Sequence, residues 1–148
     1  MDLEALEALV GYELPVGQYC ITAEDHKKTL GAIHQEGYAF EVAHPVYAHL
    51  APHCGMGLTI DKFFDFVDFP MDGGALYGEG DLTYHKPIRI GVTYTVRGLI
   101  ASVERKQGAR TGTFDLITLH LELFDSGNEP VVTSLETYVF PRSETPTS

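Results

Sequence analysis

The sequence predicts one α+β domain in which a curved antiparallel sheet wraps around an apolar helix. Its 148 residues, 44% of them hydrophobic, can bury one core and are too few for two ordinary domains. Hydrophobic residues at helical spacing are confined to the first half of the chain, and strand-like runs fill the second half. Because helices and strands do not alternate, we do not expect a parallel α/β sheet.

Two short helices are predicted before the apolar one. Asp2 can cap the first helix, and Gly11 ends it. Thr22 and Asp25 have the spacing of a capping box with Asp in place of the usual Glu, which predicts a second helix from about Ala23 to His34. One face of the first helix is apolar and carries Leu3, Leu6, Leu9 and Val10.

The apolar helix is predicted within residues Met56–Val67, and we expect the sheet to enclose it. Its hydrophobic residues recur at helical intervals, and Pro70 ends the pattern. The preceding segment, Ala43–Pro52, is rich in histidine and turn-forming residues and has no clear periodicity. The apolar stripe comprises Met56, Ile60, Phe63, Phe64 and Val67.

The second half of the chain predicts about four antiparallel strands. Val92–Val96 alternates, whereas Phe114–Phe124 and Val131–Phe140 are rich in β-branched and large apolar residues. Short turns over Lys106–Arg110 and Asp125–Glu129 favour antiparallel neighbours, so we expect a meander. The polar end of the chain, Arg142–Ser148, is expected to be a frayed tail.

Composition excludes several classes of partner and location. Ten Lys and Arg against twenty-one Asp and Glu give a net charge of −11, which disfavours nucleic acid and anionic membrane surfaces as partners. The acidic start and the absence of an apolar run near 18 residues argue against a secretory signal and a membrane span. With only Cys20 and Cys54, no disulfide framework or four-cysteine zinc site is predicted, and we expect a cytoplasmic protein.

Three histidines and a cysteine lie close together between His44 and Cys54. His49 and His53 are four residues apart, which on a helix would favour a metal site. Pro52 lies between them and disfavours helical dihedral angles in the residue before it. We therefore expect loop histidines with ordinary hydrogen bonds and no transition metal, the metal site being the alternative.

Residues 53–57 directly precede or begin the predicted apolar helix. Free backbone N–H groups at a helix start attract a carbonyl oxygen or an anion, and glycines let a ligand approach the backbone closely. The alternative interpretation, to which the sequence gives equal weight, is that the glycines let the helix pass under a tightly wrapped sheet. The candidate substrate-binding residues are His53, Cys54, Gly55 and Gly57.

Two charged groups are further candidates. Arg105, Lys106 and Arg110 form a basic group on a turn and would suit the phosphates of a pantetheine-bearing carrier, although a solvated hairpin tip is the favoured interpretation. Acidic residues at helical spacing beside the apolar stripe would suit thioester hydrolysis, and a solvated polar flank is again favoured. These residues are Asp61, Asp65 and Asp68.

The order of these elements resembles the MaoC-like and fatty-acid-synthase-type hydratase/dehydratase family. The strongest segment is Leu82–Tyr94, LTYHKPIRIGVTY, which is similar to the family's strand, Pro-Leu/Ile and glycine approach to the next strand. Tyr47–Pro52 and Glu136–Arg142 are further matches, and the resemblance spans Leu14–Arg142. It implies a single hotdog domain over residues 1–148. It also implies an acyl-thioester ligand carried by coenzyme A or acyl carrier protein, and no other cofactor.

The chain departs from the family at its catalytic motif. Active members follow the Thr-x-x-Asp helix start with Gly-Asp-x-Asn-Pro-x-His, whose Asp and His activate water and move the proton. Aligned on Thr22, these two positions fall on Gln35 and Phe40, and neither can act as a general base. A shift of one residue brings in His34, for which Glu36 is the available carboxylate.

The resemblance therefore implies a degenerate subunit with no catalytic residues of its own. Such a subunit supplies an acyl-binding cradle, and a second hotdog subunit carries the Asp and His. The alternatives are a self-sufficient homo-oligomeric hydratase that uses His34 with Glu36, a thioesterase that uses an acidic residue on the central helix, and a non-catalytic acyl-thioester binding module. Because an uncovered edge strand favours association, we expect a homo- or hetero-oligomer in each case.

Overall fold

The core of the fold is a five-stranded antiparallel sheet. We analysed a computed structural model, which describes residues 1–38 and 41–142. The strands lie in the order β1-β3-β4-β5-β2, so β3, β4 and β5 form the predicted meander and β1 and β2 are the edges. Phe40 and the predicted tail beyond Arg142 lie outside the described residues. The strands are β1 (Gly17–Cys20), β2 (Leu76–Tyr84), β3 (Thr93–Gly108), β4 (Gly112–Phe124) and β5 (Pro130–Pro141).

Alternation along β4 and β5 determines which side chains face the core. Every second residue of each strand is buried, because successive side chains of a strand point to opposite faces. Most of the buried residues are apolar, but Asp115 on β4 and Ser134 and Glu136 on β5 are polar and fully buried. These three side chains lie on the same face as the hydrophobic core.

The two predicted short helices are present. The Asp2 side chain accepts a hydrogen bond from Ala5 N at 2.8 Å, and the Thr22 hydroxyl accepts one from Asp25 N at 3.1 Å. Both predicted caps are therefore confirmed. The described helices are α1 (Leu3–Glu7), α2 (Ala23–Ala32), α3 (Tyr47–Gly55) and α4 (Ile60–Phe66).

The predicted helix within Met56–Val67 is present as α4, but the prediction that it is the central helix was wrong, because that place belongs to α3. Helix α3 contacts all five strands, whereas α4 is a separate short helix that touches the sheet through the rings of Phe63 and Phe64. Pro52 lies inside α3, where the lost hydrogen bond typically costs about 3 kcal/mol, and its burial helps to offset that cost. The buried face of α3 has helical spacing and comprises Tyr47, Ala48, Ala51, Pro52 and Gly55.

Gly55 and Gly57 allow α3 and the following segment to approach the start of the sheet closely. A Cβ at Gly55 would lie 2.6 Å from the Cβ of Tyr19 and 2.7 Å from Cγ2 of Val96. One at Gly57 would collide with the carbonyl oxygen of Pro15. The structure thus supports the packing interpretation of both glycines.

Candidate functional site

Two groups of polar and aromatic side chains lie around α3. We call the first the α3-start cluster, because it surrounds the first residue of the helix. We call the second the Glu136 cluster, because it surrounds a buried carboxylate farther along the helix. The α3-start cluster comprises His26, Thr29, Tyr38, His44 and Tyr47. The Glu136 cluster comprises His49, His53, Tyr77, Ser134 and Glu136.

The carboxylate of Glu136 is fully buried and accepts two hydroxyl hydrogen bonds. Ser134 Oγ donates to Oε1 at 2.5 Å, and the hydroxyl of Tyr77, on the neighbouring strand β2, donates to Oε2. The inward alternation of β5 places Ser134 and Glu136 on the face that α3 covers. A carboxylate held by hydroxyl donors is fixed in orientation, because both oxygens have a defined partner.

Two imidazole rings of α3 face this carboxylate. His49 Nδ1 lies 3.3 Å and His53 Nδ1 3.8 Å from Oε1 of Glu136, and the ring centroids are 4.5 Å apart. Residues four apart on a helix lie on one face, which explains why both rings point toward β5. The expectation that Pro52 keeps these histidines off a regular helix was therefore wrong.

His53 is the more enclosed of the two histidines. Its Nδ1 lies 2.9 Å from the carbonyl oxygen of His49, and among the described residues its buried Nε2 has no hydrogen-bond partner. Burial disfavours the protonated ring and lowers the pKa of His53, although the His49 carbonyl and Glu136 act in the opposite direction. The neutral ring is the form that can accept a proton or bind a metal.

An apolar cavity of about 550 Å³ adjoins the Glu136 cluster. Burial raises the pKa of Tyr138 to about 12 and also raises that of Tyr77, so both phenols keep their protons at neutral pH. His53 and Cys54 line the cavity as predicted candidates, whereas Gly55 and Gly57 do not. The lining consists of His49, His53, Cys54, Met56, Leu58, Thr59, Ile60, Tyr77 and Tyr138.

The predicted anion site at a helix start near residues 53–55 is wrong. His53, Cys54 and Gly55 form the last turn of α3. They therefore lie at the negative end of the helix dipole, whereas the predicted anion site requires the positive end. Cys54 is exposed, and partial burial of its thiol raises the pKa. Its neighbour Tyr19 donates a hydrogen bond that acts against this rise.

Hydrogen bonds connect the residues of the α3-start cluster to one another and to the start of the helix. His44 N donates to His26 Nε2 at 3.0 Å, and Val46 N donates to His44 Nδ1 at 3.1 Å. The hydroxyls of Thr29 and Tyr47 lie 2.8 Å apart. Burial, with a smaller effect of His44, lowers the pKa of His26. These contacts hold the start of α3 in place, and its first N–H groups, at Tyr47, Ala48 and His49, donate to the backbone carbonyls of the three preceding residues, 44–46.

The described residues around the family's aligned catalytic positions are exposed, and Gln35 contacts the α3-start cluster through its backbone carbonyl, which accepts a hydrogen bond from Tyr38 N at 3.0 Å. His34, Gln35 and Glu36 are exposed after α2, and His34 has a left-handed φ of 57°. Within the described part of the chain, neither His34 nor Glu36 forms an ion pair or side-chain hydrogen bond with either cluster. Phe40 lies outside the described residues.

The basic group does not form one anion site. Arg105 binds the buried carboxylate of Asp115 through Nε at 2.7 Å and through Nη2 at 2.9 Å. Lys106 lies 3.3 Å from Glu104, and Arg110 lies in the turn between β3 and β4. Only Arg110 is left without an acidic partner among these three within residues 1–38 and 41–142.

The acidic residues beside the predicted apolar helix also stay at the surface. Asp61 and Asp65 are exposed on α4, and Asp68 binds the amino terminus at 2.5 Å. Helix α3, which is the central one, carries no acidic residue. The only carboxylate that faces α3 from within the described sheet and binds its histidines is Glu136. The sequence analysis did not select Glu136 or Tyr77 for the site.

Comparison with known proteins identifies what the chain is similar to. The profile of the family described as "FAS1-like, dehydratase domain region" matches residues 8–134. None of the curated proteins compared matches the sequence. Within the described residues, no helix is long and apolar enough to cross a membrane.

Three solved structures have a similar fold. The ChsH1–ChsH2 complex from Mycobacterium tuberculosis matches with a TM-score of 0.67 and 18% identity, covering 98% of this chain and 92% of that chain. A C-terminally truncated HadBC (3R-hydroxyacyl-ACP dehydratase) complex from the same organism gives 0.61 and 16%, with 85% and 95% covered. The (R)-hydratase from A. caviae involved in PHA biosynthesis gives 0.58 and 15%, with 89% and 96% covered. These likenesses confirm the predicted hotdog fold.

Proposed function

The chain belongs to the FAS1-like dehydratase-region family of MaoC-like hotdog proteins, and from this premise we propose that it is the acyl-binding subunit of a heteromeric hydratase/dehydratase. A second hotdog chain would supply the Asp and His that add water to a 2-enoyl thioester or remove it from a 3-hydroxyacyl thioester. The carrier would be coenzyme A or acyl carrier protein.

The observation that carries this proposal is that Gln35 occupies the position aligned with the family's Asp, as Phe40 occupies that of its His in the sequence. Gln35 has no ionisable group and is exposed, and its neighbour His34 is exposed as well. A general base must reach the proton that it removes, at about 2.6–3.2 Å or through one water. An exposed amide after α2 meets neither the chemical nor the geometric requirement.

An apolar cavity of suitable size supports a role in acyl binding. Small-molecule sites are typically about 300–1,000 Å³ and mostly apolar, and the cavity beside the Glu136 cluster holds about 550 Å³. Leu58, Ile60 and Met56 supply apolar walls on one side, and Tyr138 supplies an aromatic wall. An extended acyl chain would bury its methylene groups against these side chains at about 0.8 kcal/mol for each.

The exposed edge of the sheet supports a second hotdog chain as the partner. Strand β2 is an edge strand, and all nine of its residues are exposed. Leu82 and Tyr84 pair with the buried Ser134 and Val132, so they lie on the inner face of the sheet and are nevertheless 43% and 42% exposed. An unpaired edge with apolar side chains is an aggregation liability unless it is covered. Similar folds are found in the HadBC and ChsH1–ChsH2 structures, which are complexes of two different chains.

The test uses the complex with a hotdog chain that carries the intact Asp-x-Asn-Pro-x-His motif. Leu58→Trp fills the cavity and should raise KM for a medium-chain 2-enoyl-coenzyme A roughly tenfold or more, with a smaller effect on kcat. Val10→Trp, at an exposed position outside the cavity, is the matched control and should leave KM unchanged. Gln35→Ala should leave kcat largely intact. A loss of kcat in Gln35→Ala with an unchanged KM in Leu58→Trp contradicts the proposal.

A further inference from the structure

We propose that His49, His53 and Glu136 form a binding site for a divalent transition-metal ion of the zinc type. The site goes beyond the proposed function, which requires no metal. The sequence analysis expected no transition metal, because Pro52 was expected to prevent a helix that would align His49 and His53. The proposal reverses that expectation. Helix α3 supplies that scaffold.

The ligand types and their placement match open zinc sites. Two histidines four residues apart on a helix direct both rings to the same side, and a carboxylate from another element is the usual third ligand. His49 and His53 have this spacing on α3, and Glu136 reaches them from β5. The three residues thus give the two-histidine, one-carboxylate set in which a fourth position stays open.

The separations between ligand atoms fit a single ion. Ligand atoms bound to one zinc ion at about 2.0–2.2 Å in a tetrahedron lie roughly 3.2–3.6 Å from one another. The two Nδ1 atoms lie 3.3 Å and 3.8 Å from Oε1 of Glu136, and all three ligand atoms lie within 4.8 Å of one another. Small rotations of the two rings are enough to bring them to the ion. His53 would exchange its contact with the His49 carbonyl for a metal bond.

The surroundings of Glu136 favour a bound cation. Its carboxylate is fully buried, and within the described residues its ion-pair partners are the two imidazoles alone. A buried carboxylate without Lys or Arg needs another source of positive charge, and a divalent ion supplies it. Ser134 and Tyr77 hold the carboxylate from behind, as outer-shell hydrogen bonds do in metal sites.

The open position would face the apolar cavity. His49, His53 and Tyr77 all line that cavity, so a molecule within it can reach the ion. The ligand class that fits is a molecule with an oxygen donor at one end and an apolar body. Open sites of this kind polarise a bound oxygen atom, whereas structural zinc sites are closed by four protein ligands.

The test measures metal binding by untagged protein, independently of catalysis. The metal-free protein is titrated with Zn²⁺ against a chromogenic chelator, and with Co²⁺ while the visible absorption is recorded. We expect one equivalent of Zn²⁺ and the intense visible bands of four-coordinate Co²⁺. Glu136→Gln and His53→Asn should weaken binding by at least about 100-fold, and Tyr77→Phe by about 10-fold, because ligands matter more than outer-shell groups.

The matched control is the double variant His34→Asn/His85→Gln, which also removes two of the seven histidines but leaves the cluster intact. Asn at residue 34 suits the left-handed backbone there. This variant should bind Zn²⁺ as tightly as the wild type, and circular dichroism confirms that each variant is folded. Absence of stoichiometric binding by the wild type overturns the proposal. So does equal binding by a folded Glu136→Gln or His53→Asn variant. Neither result affects the cavity test of the acyl-binding role.

Discussion

Among the described residues, two carboxylates are buried on neighbouring strands, and their partners differ in kind. Asp115 on β4 lies between Arg105 and Arg142, which bind its two oxygens at 2.7–2.9 Å. Glu136 on β5 is equally buried but is held by two hydroxyls and faces two imidazoles. Asp115 is thus neutralised by two arginines, whereas Glu136 has no Lys or Arg partner within residues 1–38 and 41–142.

This difference in partners distinguishes a carboxylate that stabilises the fold from one that can belong to a binding site. Arginine keeps its charge at every accessible pH, so the ion pairs of Asp115 are permanent. Arg142 also donates hydrogen bonds to the carbonyl oxygens of Val67 and Asp68, which connects the end of the meander to the segment after α4. Imidazoles and hydroxyls can exchange partners with a ligand. Burial of a charged residue therefore indicates a site only after its partners are known.

Replacing the two carboxylates should give unequal losses of stability. Asp115→Asn leaves two arginines without their buried partner and should lower the free energy of unfolding by about 3–5 kcal/mol. Glu136→Gln keeps the side-chain volume and leaves no Lys or Arg of the described chain unpaired, so the loss of unfolding free energy should be about 1 kcal/mol. Urea unfolding of both variants at neutral pH measures the difference. Equal losses would remove the distinction between the two carboxylates.

The same comparison predicts how stability changes in acid. Burial alone would raise the pKa of Asp115, but hydrogen bonds from Arg105 and Arg142 outweigh burial and lower it. A carboxyl group with a lower pKa in the folded state stabilises the fold fully above its unfolded pKa of about 3.9. That stabilisation is lost as the pH falls through the folded pKa.

The measurement is urea unfolding of the wild type and Asp115→Asn between neutral pH and the lowest pH at which both are folded. The difference between the two should narrow below about pH 4. Asp72→Asn, at an exposed loop position, is the control and should unfold like the wild type throughout. A difference that stays constant with pH would show that the Asp115 charge contributes nothing.

The smallest of these losses of stability is expected when the Tyr77 hydroxyl, which donates a hydrogen bond to Glu136, is removed. Tyr77→Phe removes one hydrogen bond to the carboxylate and should lower the free energy of unfolding by about 0.5–1 kcal/mol. Tyr12→Phe removes a hydroxyl from a half-exposed tyrosine outside the cluster and should change stability by less than about 0.5 kcal/mol. Equal effects of the two changes would indicate that the Tyr77 bond does not hold the carboxylate.

Local patterns in the sequence were sufficient for much of the fold. The caps of α1 and α2 depend on single side chains beside the helix start, and the meander follows from alternation with short turns. The central helix was missed because its buried face consists largely of Ala, Pro and Gly, which contribute little hydrophobic signal. The apolar stripe from Met56 onward was instead assigned to the central helix. In the structure, the chain at Gly57 passes too close to Pro15 for any side chain.

The Glu136 cluster was less accessible to sequence analysis. It joins one helix and two strands that are far apart in the chain, and the pairing of β2 with β5 sets which residues meet. One local signal existed, because Ser134 and Glu136 occupy inward positions between Val132 and Tyr138 on an alternating strand. A polar pair at two such positions indicates a buried site, but the sequence did not show that α3 would bring His49 and His53 to it.

The central claim is that this chain binds the acyl group and leaves the chemistry to its partner. The most direct test is the initial rate of loss of enoyl absorbance from 2-enoyl-coenzyme A, measured with the pure chain and with the complex that contains an intact Asp-x-Asn-Pro-x-His motif. Absence of a positioned acid or base typically costs about 10²–10⁴ in rate, so the lone chain should be slower than the complex by at least that factor. Turnover by the lone chain at the rate of the complex, abolished by His53→Asn or His34→Asn, would contradict the claim and identify a self-sufficient enzyme.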